Sequence, residues 1–254
     1  MRSFIAFIKK EFIEQIRSYK MLILFAIFFV FGMMSPLLAK MLPDIIASVD
    51  MQGMEISIPK PTYIDGYIQF FSNINQMGMI ILLLIFSGIV HHEISKGTLI
   101  NILSKGLDRY KVILAKFLAA SITWTISFLI AAITNYLYTK YLFKGIFNEE
   151  IVISLIMLWI FGVFVLSIVI FSSTITNGNY GGLLLSAVIL GILLLIDMFP
   201  KSYKYNPIAL ASRGIDIIKN TLEISNMYLS IGITVLSTLI LIISTIIIFD
   251  KKKM

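Results

Sequence analysis

The amino-acid sequence predicts an all-α polytopic membrane protein, and three observations support this fold class. Of the 254 residues, 58% are hydrophobic and only 14% are charged, whereas soluble domains carry about 25% charged residues. Six apolar stretches reach the roughly 20 residues that a helix needs to cross a bilayer, and none contains lysine or arginine. The backbone must satisfy its own hydrogen bonds in lipid, and the alternation of a membrane β-barrel is missing, so we expect helices.

We predict that one transmembrane domain, residues 1–254, contains all six spans. They cover residues 21–39, 67–90, 117–138, 151–175, 181–199 and 227–249. Asp197, near the end of the fifth span, is the only acidic residue within them. The chain has no cysteine, which excludes a disulfide scaffold and thiolate metal sites.

Before the first span, residues 3–20 are predicted to form an amphipathic helix that lies in the membrane interface. Its apolar side chains recur at spacings of three and four residues, at Ile5, Ile8, Phe12, Ile16 and Tyr19. Charged and amide side chains fill other positions, so the apolar face is free to contact lipid. A solvated helical extension of the first span is the alternative interpretation.

Pro36 lies near the outer end of the first span, where we expect it to kink or stop the helix. The loop that follows, residues 40–66, is predicted to lie outside the cell. Its pattern is too weak to decide between a short helix and a hairpin.

Turn and capping residues follow one another in the segment between the second and third spans, residues 91–116. Gly97 is expected to end the helix that leaves the second span, and Thr98 suits the N-cap of a short helix over residues 99–104. Gly106 suits the end of that short helix.

Asp108 suits the N-cap of the next helix, which continues into the third span. The short helix before it is therefore predicted to lie parallel to the membrane, between two spans. Its apolar face consists of Leu99, Ile102 and Leu103.

The two remaining connections are of different kinds. Residues 176–180 are rich in glycine and asparagine and predict a tight turn between the fourth and fifth spans. Residues 200–226 are long, contain Asn206-Pro207 and are too polar to span. They predict a re-entrant or interfacial helical pair before the sixth span.

The distribution of basic residues predicts the orientation of the chain. With both termini inside, the inner segments hold 13 lysine and arginine residues and the outer segments hold 8. Because cytoplasmic loops are enriched in these residues, we expect cytoplasmic termini and a plasma-membrane location. The basic residues responsible for the net charge of +7 are expected to lie at the anionic lipid headgroups on the cytoplasmic side. Nucleic acid is not predicted as a partner.

Motifs for catalysis or metal binding are missing from the sequence. His92-Glu93 begins the His-Glu-x-x-His pattern of zinc proteases, but Lys96 occupies the closing position. The dipeptide Gly-Lys of an ATP-binding P-loop occurs nowhere, and neither does the Gly-x-Ser-x-Gly of serine hydrolases. We therefore predict no catalytic, cofactor-binding or metal-binding residues, and no enzymatic activity of this chain.

One series of residues within 93–116 is recognisable as a unit. Its members are Glu93, Gly97, Thr98, Leu99, Ile102, Leu103, Ser104, Asp108, Arg109, Leu114, Ala115 and Lys116. The series resembles the cytoplasmic loop of ABC-transporter permeases of the type-2 exporter family. The N-terminal helix, the six spans and the long outer segment resemble that family as well, although Lys105-Gly106 stands where a Pro-containing turn is common.

The resemblance implies a half-transporter that forms a homodimer, or a heterodimer with a related chain, and binds separate ABC ATPase subunits. ATP and Mg²⁺ would be bound by those ATPases, and this chain would bind no cofactor. The N-terminal helix would be an elbow helix, and the short helix after Gly97 a coupling helix docked on the ATPase. The residues implied in ATPase coupling are Glu93, Lys96, Gly97, Thr98, Leu99, Ile102, Leu103, Lys105 and Arg109.

The predicted function is the permease subunit of an ATP-driven exporter for an amphipathic or hydrophobic cargo, such as a peptide, lipid or drug. Spans without ionisable residues at their centres argue against ion-coupled transport. Two alternatives stay open: a non-transporting membrane immunity or sensor protein, and an ion-coupled secondary transporter or intramembrane enzyme.

Overall fold

The computed structural model describes residues 2–48, 60–95, 97–99, 104, 106–144, 148–176, 178, 180–199 and 202–252. This part of the chain is all-helical and contains no strand, which confirms the predicted fold class. The α-helices are α1 (Arg2–Arg17), α2 (Lys20–Ser48), α3 (Tyr63–Asn73), α4 (Met79–Phe86), α5 (His91–Ser95), α6 (Arg109–Phe143), α7 (Glu149–Ile175), α8 (Gly181–Asp197), α9 (Ala209–Ser212), α10 (Gly214–Ile218) and α11 (Tyr228–Lys251).

Five helical segments of the described chain are long and apolar enough to cross a membrane. They are Lys20–Ile45, Tyr63–Ser95, Arg109–Phe143, Glu149–Ile175 and Ile224–Lys251. The fifth predicted span corresponds to α8, which has only 17 residues and a length of about 26 Å, against a hydrocarbon core of about 30 Å. A membrane protein with several spans is therefore confirmed, and a sixth crossing stays a prediction.

The predicted N-terminal helix is present as α1, and it ends at a turn in which Tyr19 has a φ of 58°. Phe7, Glu11 and Gln15 share one buried face of α1, and the helix packs against α6. Ile5 and Ile16 lie on another face, where they are 64% and 57% exposed. The exposed apolar side chains Ile5 and Ile16 are free to contact lipid, whereas Ile8 of the predicted apolar face is partly buried against the core of the protein.

Pro36 was expected to kink or stop the first span, and a stop is excluded, because α2 continues through Pro36 and Pro43. Proline removes one backbone hydrogen bond, but neighbouring helices and hydroxyl side chains compensate for this loss in membrane bundles. Here α2 packs along α3 and α6. Ser35 donates a hydrogen bond to the carbonyl of Phe31 and accepts one from Asn73 of α3.

The second predicted span differs from a single α-helix over 67–90. It begins earlier, at Tyr63, and passes through a π-helical segment, Ile74–Gly78, before α4. A turn then leads to the short helix α5. The hydroxyl of Ser173 in α7 accepts hydrogen bonds from the backbone N–H groups of Val90 and His91, which fixes this turn against α7.

The core of the bundle is centred on Trp124 of α6. Its ring contacts Phe28 of α2 edge-on at 5.5 Å and Phe128 at 5.2 Å between centroids. The indole N–H donates to the carbonyl of Trp159 in α7. A Cβ atom added to Gly162 would lie 2.2 Å from the indole, so α6 and α7 approach closely because this residue is glycine.

The predicted helical pair before the last helix is present as α9 and α10, both packed against α7. Asn206 is buried and organises this region: its side chain donates to the carbonyl of Leu193 in α8 and accepts from the N–H of Ile208. Its own carbonyl accepts from Ser230 of α11. This pair lies at the end of the bundle opposite α1. We call the two ends the far end and the elbow side.

Candidate functional site

The largest concentration of buried charge within the described residues lies on the elbow side, between α1, α5 and α6. Lys116 of α6 has only 1% of its side chain exposed. Its ammonium nitrogen lies 3.0 Å from both carboxylate oxygens of Glu11 in α1. The same nitrogen is 2.9 Å from Oε2 of Glu93 in α5. One lysine therefore connects two helices that are far apart in sequence.

Lys10 of α1 completes the arrangement from the more exposed side. It forms ion pairs with Glu93, with Glu11 at 3.1 Å and with Glu14 at 2.7 Å. Partial burial alone would lower the pKa of Lys10, but the hydrogen bonds to Glu14 and Glu93 raise it above its usual value. Partial burial alone would raise the pKa of Glu14, but the hydrogen bond from Lys10 lowers it. We call Lys10, Glu11, Glu14, Glu93 and Lys116 the ion cluster.

The members of the ion cluster depend on one another, because its positive and negative charges differ by only one. Two ammonium groups face three carboxylates, and two of those carboxylates are more than nine-tenths buried. Burying such charges costs several kcal/mol per ion unless each has a partner in good geometry. The cluster therefore holds α1, α5 and α6 in one relative position, since separating them would leave buried charges unpaired.

The three carboxylates of the ion cluster also lie near enough to one another to be considered as metal ligands. Oxygen atoms of Glu11, Glu14 and Glu93 come within 4.8 Å of one another. The ammonium groups of Lys10 and Lys116 already bind the same oxygens. These positive charges disfavour a cation, so the chemistry of the cluster fits structural ion pairing.

A second polar contact reinforces the docking of α1 on α6. Gln15 is 4% exposed, and its side-chain oxygen accepts a hydrogen bond from Thr123 at 2.6 Å. Gln15 lies one turn after Glu11, and Thr123 lies two turns after Lys116. The buried face of α1 therefore matches α6 at two successive polar positions.

The turn residues predicted after the second span lie where expected. Gly97 has a φ of +67° and follows the end of α5, and Gly106 has a φ of +87°. Asp108 occupies the N-cap position of α6. Glycine suits the two left-handed positions because it has no Cβ to clash with the backbone.

Two residues predicted for the short helix have roles that differ from those expected. The hydroxyl of Thr98 donates to the carbonyl of Glu93, so it binds the end of the preceding helix. Leu99 is fully buried in the core of this chain and is therefore not available to a partner in this conformation. We had expected it on an exposed docking face.

Four of the predicted coupling residues lie outside the part of the chain that the structure describes. They are Lys96, Ile102, Leu103 and Lys105. Their assignment to a coupling helix therefore stays a sequence-based expectation.

Arg109 was expected to contact a partner, and this stays a prediction; within the chain its guanidinium group binds the end of α11. One of its nitrogens donates to the carbonyls of Phe249, Asp250 and Lys252 at the end of α11. The ammonium of Lys252 in turn donates to the carbonyl of Thr174 near the end of α7. Helix ends expose unpaired carbonyls, and cations near them are favourable. The ends of α6, α7 and α11 are thereby joined.

Sequence reasoning did not place Glu11 among the functional residues, and it named Lys116 only as the last member of the series that resembles the permease loop, not as a coupling residue. Lys116 was visible as a lysine directly before a long apolar span, and Glu11 as an acidic residue between Lys10 and Phe12. Both features are common beside membrane spans. Only the packing of α1 on α6 brings the two side chains together.

The comparisons with known proteins agree with this architecture. A family model described as "ABC-2 family transporter protein" matches residues 5–254. The chain is also 26% identical over 177 residues to "Uncharacterized transmembrane protein YxlG" of Bacillus subtilis (strain 168). The aligned region covers 69% of each chain. The family match extends over nearly the whole sequence and includes every element of the ion cluster, and this chain therefore belongs to the ABC-2 family of transporter proteins, as a multi-pass membrane component.

Proposed function

We propose that this chain is the permease subunit of an ATP-driven exporter and is coupled to a separate ABC ATPase on the elbow side. The observation that carries the proposal is the ion cluster. It connects the segment that follows α4, through Glu93, to α1 and α6. Family membership supports an ATPase partner in general terms.

The ion cluster supports a specific route for coupling. Closure of the ATPase would displace the segment around residues 91–108 as a rigid body. Glu93 moves with that segment, and its ion pairs would carry the displacement to Lys116 and Lys10. Separating opposite charges in a buried site costs free energy. Helices α1 and α6 would therefore move together with the segment that carries Glu93.

The bonds of Arg109 extend the same route. They attach the start of α6 to the end of α11, and Lys252 attaches α11 to the end of α7. A displacement at the elbow side would thus reach the three long helices together. Transport requires the cargo and the ATPase to favour different positions of these helices.

The proposal also includes the place of the ATP site, the second permease chain, the orientation in the membrane and the cargo. ATP and Mg²⁺ would be bound by the partner ATPase, and two permease chains, identical or related, would enclose the pathway. The elbow side would face the cytoplasm of the cell whose plasma membrane holds the protein. The cargo would be amphipathic or hydrophobic, a peptide, lipid or drug, because the helices present neutral side chains at their centres.

The experiment that tests the proposal is affinity purification of the chain in mild detergent and in nanodiscs, followed by identification of co-purifying proteins and an ATPase assay. We expect a stoichiometric P-loop ATPase. Glu93→Gln should leave the ATPase bound to the permease but reduce the stimulation of ATP hydrolysis. Ile102→Asp should detach the ATPase from the permease. Lys144→Gln, at the opposite end of α6, is the matched control.

The proposal fails if preparations of the intact protein in both media contain no ATPase. It also fails in its coupling step if Glu93→Gln stimulates the ATPase as the unmodified chain does. Retained membrane insertion and a single gel-filtration peak establish that each variant is folded.

A further inference from the structure

A cleft of about 670 Å³ lies on the elbow side, between the start of α6 and the end of α11. Its lining includes the apolar Ile246 and Ile247 beside charges of both signs, Asp250 and Lys251. Both helices belong to segments that are long and apolar enough to cross a membrane, so the cleft lies at the boundary between hydrocarbon and lipid headgroups. Tyr110 also lines the cleft, and tyrosine is enriched at membrane–water interfaces.

Two of the charged side chains in this cleft are available to a ligand. Asp250 and Lys251 are exposed, and neither side chain forms an ion pair within the described part of the chain. The other two charges are engaged, because Asp108 pairs with Lys111 and Arg109 donates to carbonyls of α11. The cleft therefore presents one carboxylate and one ammonium group, on neighbouring residues of the same helix.

An exposed apolar stripe on α11 leads from the cleft into the membrane. Its members, at spacings of three and four residues, are Leu236, Ile240, Ile243 and Ile247. These side chains are between 51% and 59% exposed. Asp250 and Lys251 follow Ile247 by three and four residues and therefore continue the same face. The stripe is about 16 Å long at about 1.5 Å per residue, which is close to half of a hydrocarbon core of about 30 Å.

We propose that this cleft binds the headgroup of a zwitterionic phospholipid with a primary ammonium group, namely phosphatidylethanolamine. The ammonium group of the lipid pairs with Asp250, the phosphate pairs with Lys251, and one acyl chain lies along the stripe. The stripe starts at the cleft and has the length of one leaflet, which favours a lipid over a soluble phosphate compound. A purely anionic headgroup would leave Asp250 beside a like charge.

This preference is the opposite of what the overall charge predicts. The net charge is +7, and two more lysines follow Lys251 in the sequence. Basic segments beside a membrane generally attract anionic lipids. A preference for the zwitterion therefore has to come from the carboxylate of Asp250, and this makes the proposal testable against ordinary attraction between a basic protein and a membrane.

The test compares two photoreactive lipids in nanodiscs of phosphatidylcholine: a phosphatidylethanolamine and a phosphatidylglycerol with the same diazirine-bearing acyl chain. The purified chain is used without an ATPase, so the result is independent of the proposed coupling. We expect phosphatidylethanolamine to label α11 peptides between Ile240 and Lys251 about fivefold more, as one exposed ion pair can provide. Soluble phosphoethanolamine at the concentration of the lipid probe should not reduce this labelling. Equal competition by it would overturn the assignment to a lipid.

Two pairs of variants locate the site. Asp250→Asn should reduce the ratio of the two probes to one or below, and Lys251→Gln should reduce labelling by both. The controls Asp44→Asn on α2 and Lys9→Gln on α1 change exposed charges outside the cleft and should leave the labelling as it is.

Three results would overturn the proposal. The first is labelling by phosphatidylglycerol that equals or exceeds labelling by phosphatidylethanolamine in the unmodified chain. The second is an unchanged ratio in Asp250→Asn. The third is labelling by neither lipid together with cross-linking of two chains at this segment, which would show that a second copy covers the cleft. The ratio in the unmodified chain decides the question even if a variant does not fold.

Discussion

Replacing Lys116 with methionine removes the central cation of the ion cluster and nearly preserves its shape. Methionine is unbranched and flexible, so it can occupy the space of the lysine stem. The ammonium group that is lost lies 3.0 Å from both oxygens of Glu11 and 2.9 Å from Glu93. The side chains of these carboxylates are only 4% and 6% exposed, so water does not replace the ammonium in the folded protein.

The expected loss of stability is large for a single substitution. Removing one member of a buried ion pair costs about 3–5 kcal/mol, because the other charge stays buried without a partner. The total free energy of unfolding of a protein is only about 5–15 kcal/mol. Lys116→Met should therefore detach α1 from α6 at denaturant concentrations that leave the unmodified bundle intact.

Unfolding by SDS titration in mixed micelles, followed by tryptophan fluorescence and by protease access to α1, measures this loss. Lys111→Met is the matched control, because Lys111 lies on the same helix but is paired with Asp108 near the surface. The control should change stability little. Adding Glu11→Gln to Lys116→Met should restore part of the loss, since it removes one unpaired carboxylate.

Two results would refute this reasoning. One is a loss in Lys116→Met no larger than in Lys111→Met, which would mean that the ion cluster does not hold α1. The other is a further loss when Glu11→Gln is added, which would mean that the carboxylate is not destabilised by the absence of its lysine.

Two other predictions concern packing and pH. Gly162→Ala places a methyl group 2.2 Å from the indole of Trp124 and should destabilise the bundle by about 1–3 kcal/mol in the same SDS titration. The control Gly232→Ala, which has open space around it, should be neutral or stabilising. Equal effects of the two variants would contradict the close packing of α6 on α7. Because Glu14 has a lowered pKa and Lys10 a raised one, the stability that their pair contributes should be fully present between the ordinary glutamate and lysine pKa values, about 4.3 and 10.4. It should fall as pH drops through the lowered pKa of Glu14 or rises through the raised pKa of Lys10. In Lys10→Met the acid-side loss should shrink, because this lysine no longer lowers the pKa of Glu14.

The helical architecture and several helix boundaries were predictable from the sequence because they depend on local chemistry. The all-apolar stretches require helices in lipid. Gly97 and Asp108 mark a helix end and a helix start through their own backbone preferences. A stop at Pro36 was one of the two expected outcomes, and it does not occur, because the packing of α2 along α3 and α6 outweighs the lost backbone hydrogen bond.

The ion cluster was not predictable, because it depends on which helix faces meet. Lys116 and Glu11 are 105 residues apart, and Lys10 and Glu93 are 83 apart. No pattern of spacing relates residues at such distances without knowledge of the packing. Leu99 illustrates the same limit. An apolar residue in this segment suits an external partner or an internal core equally well, and only the packing of the chain shows that Leu99 lies in the core.

Stability alone does not account for an ion cluster at this place. Apolar side chains of similar volume would hold three helices together at least as well. The free-energy cost of burying the charges offsets most of the stabilisation that comes from the attraction between them. Ion pairs differ in that they act between specific partners. Through Lys116 the cluster joins α6 to α1 and to the segment carrying Glu93, and through Arg109 the same helix joins α11. In the proposed coupling, a displacement near Glu93 would reach α1 and α11 through these contacts of α6.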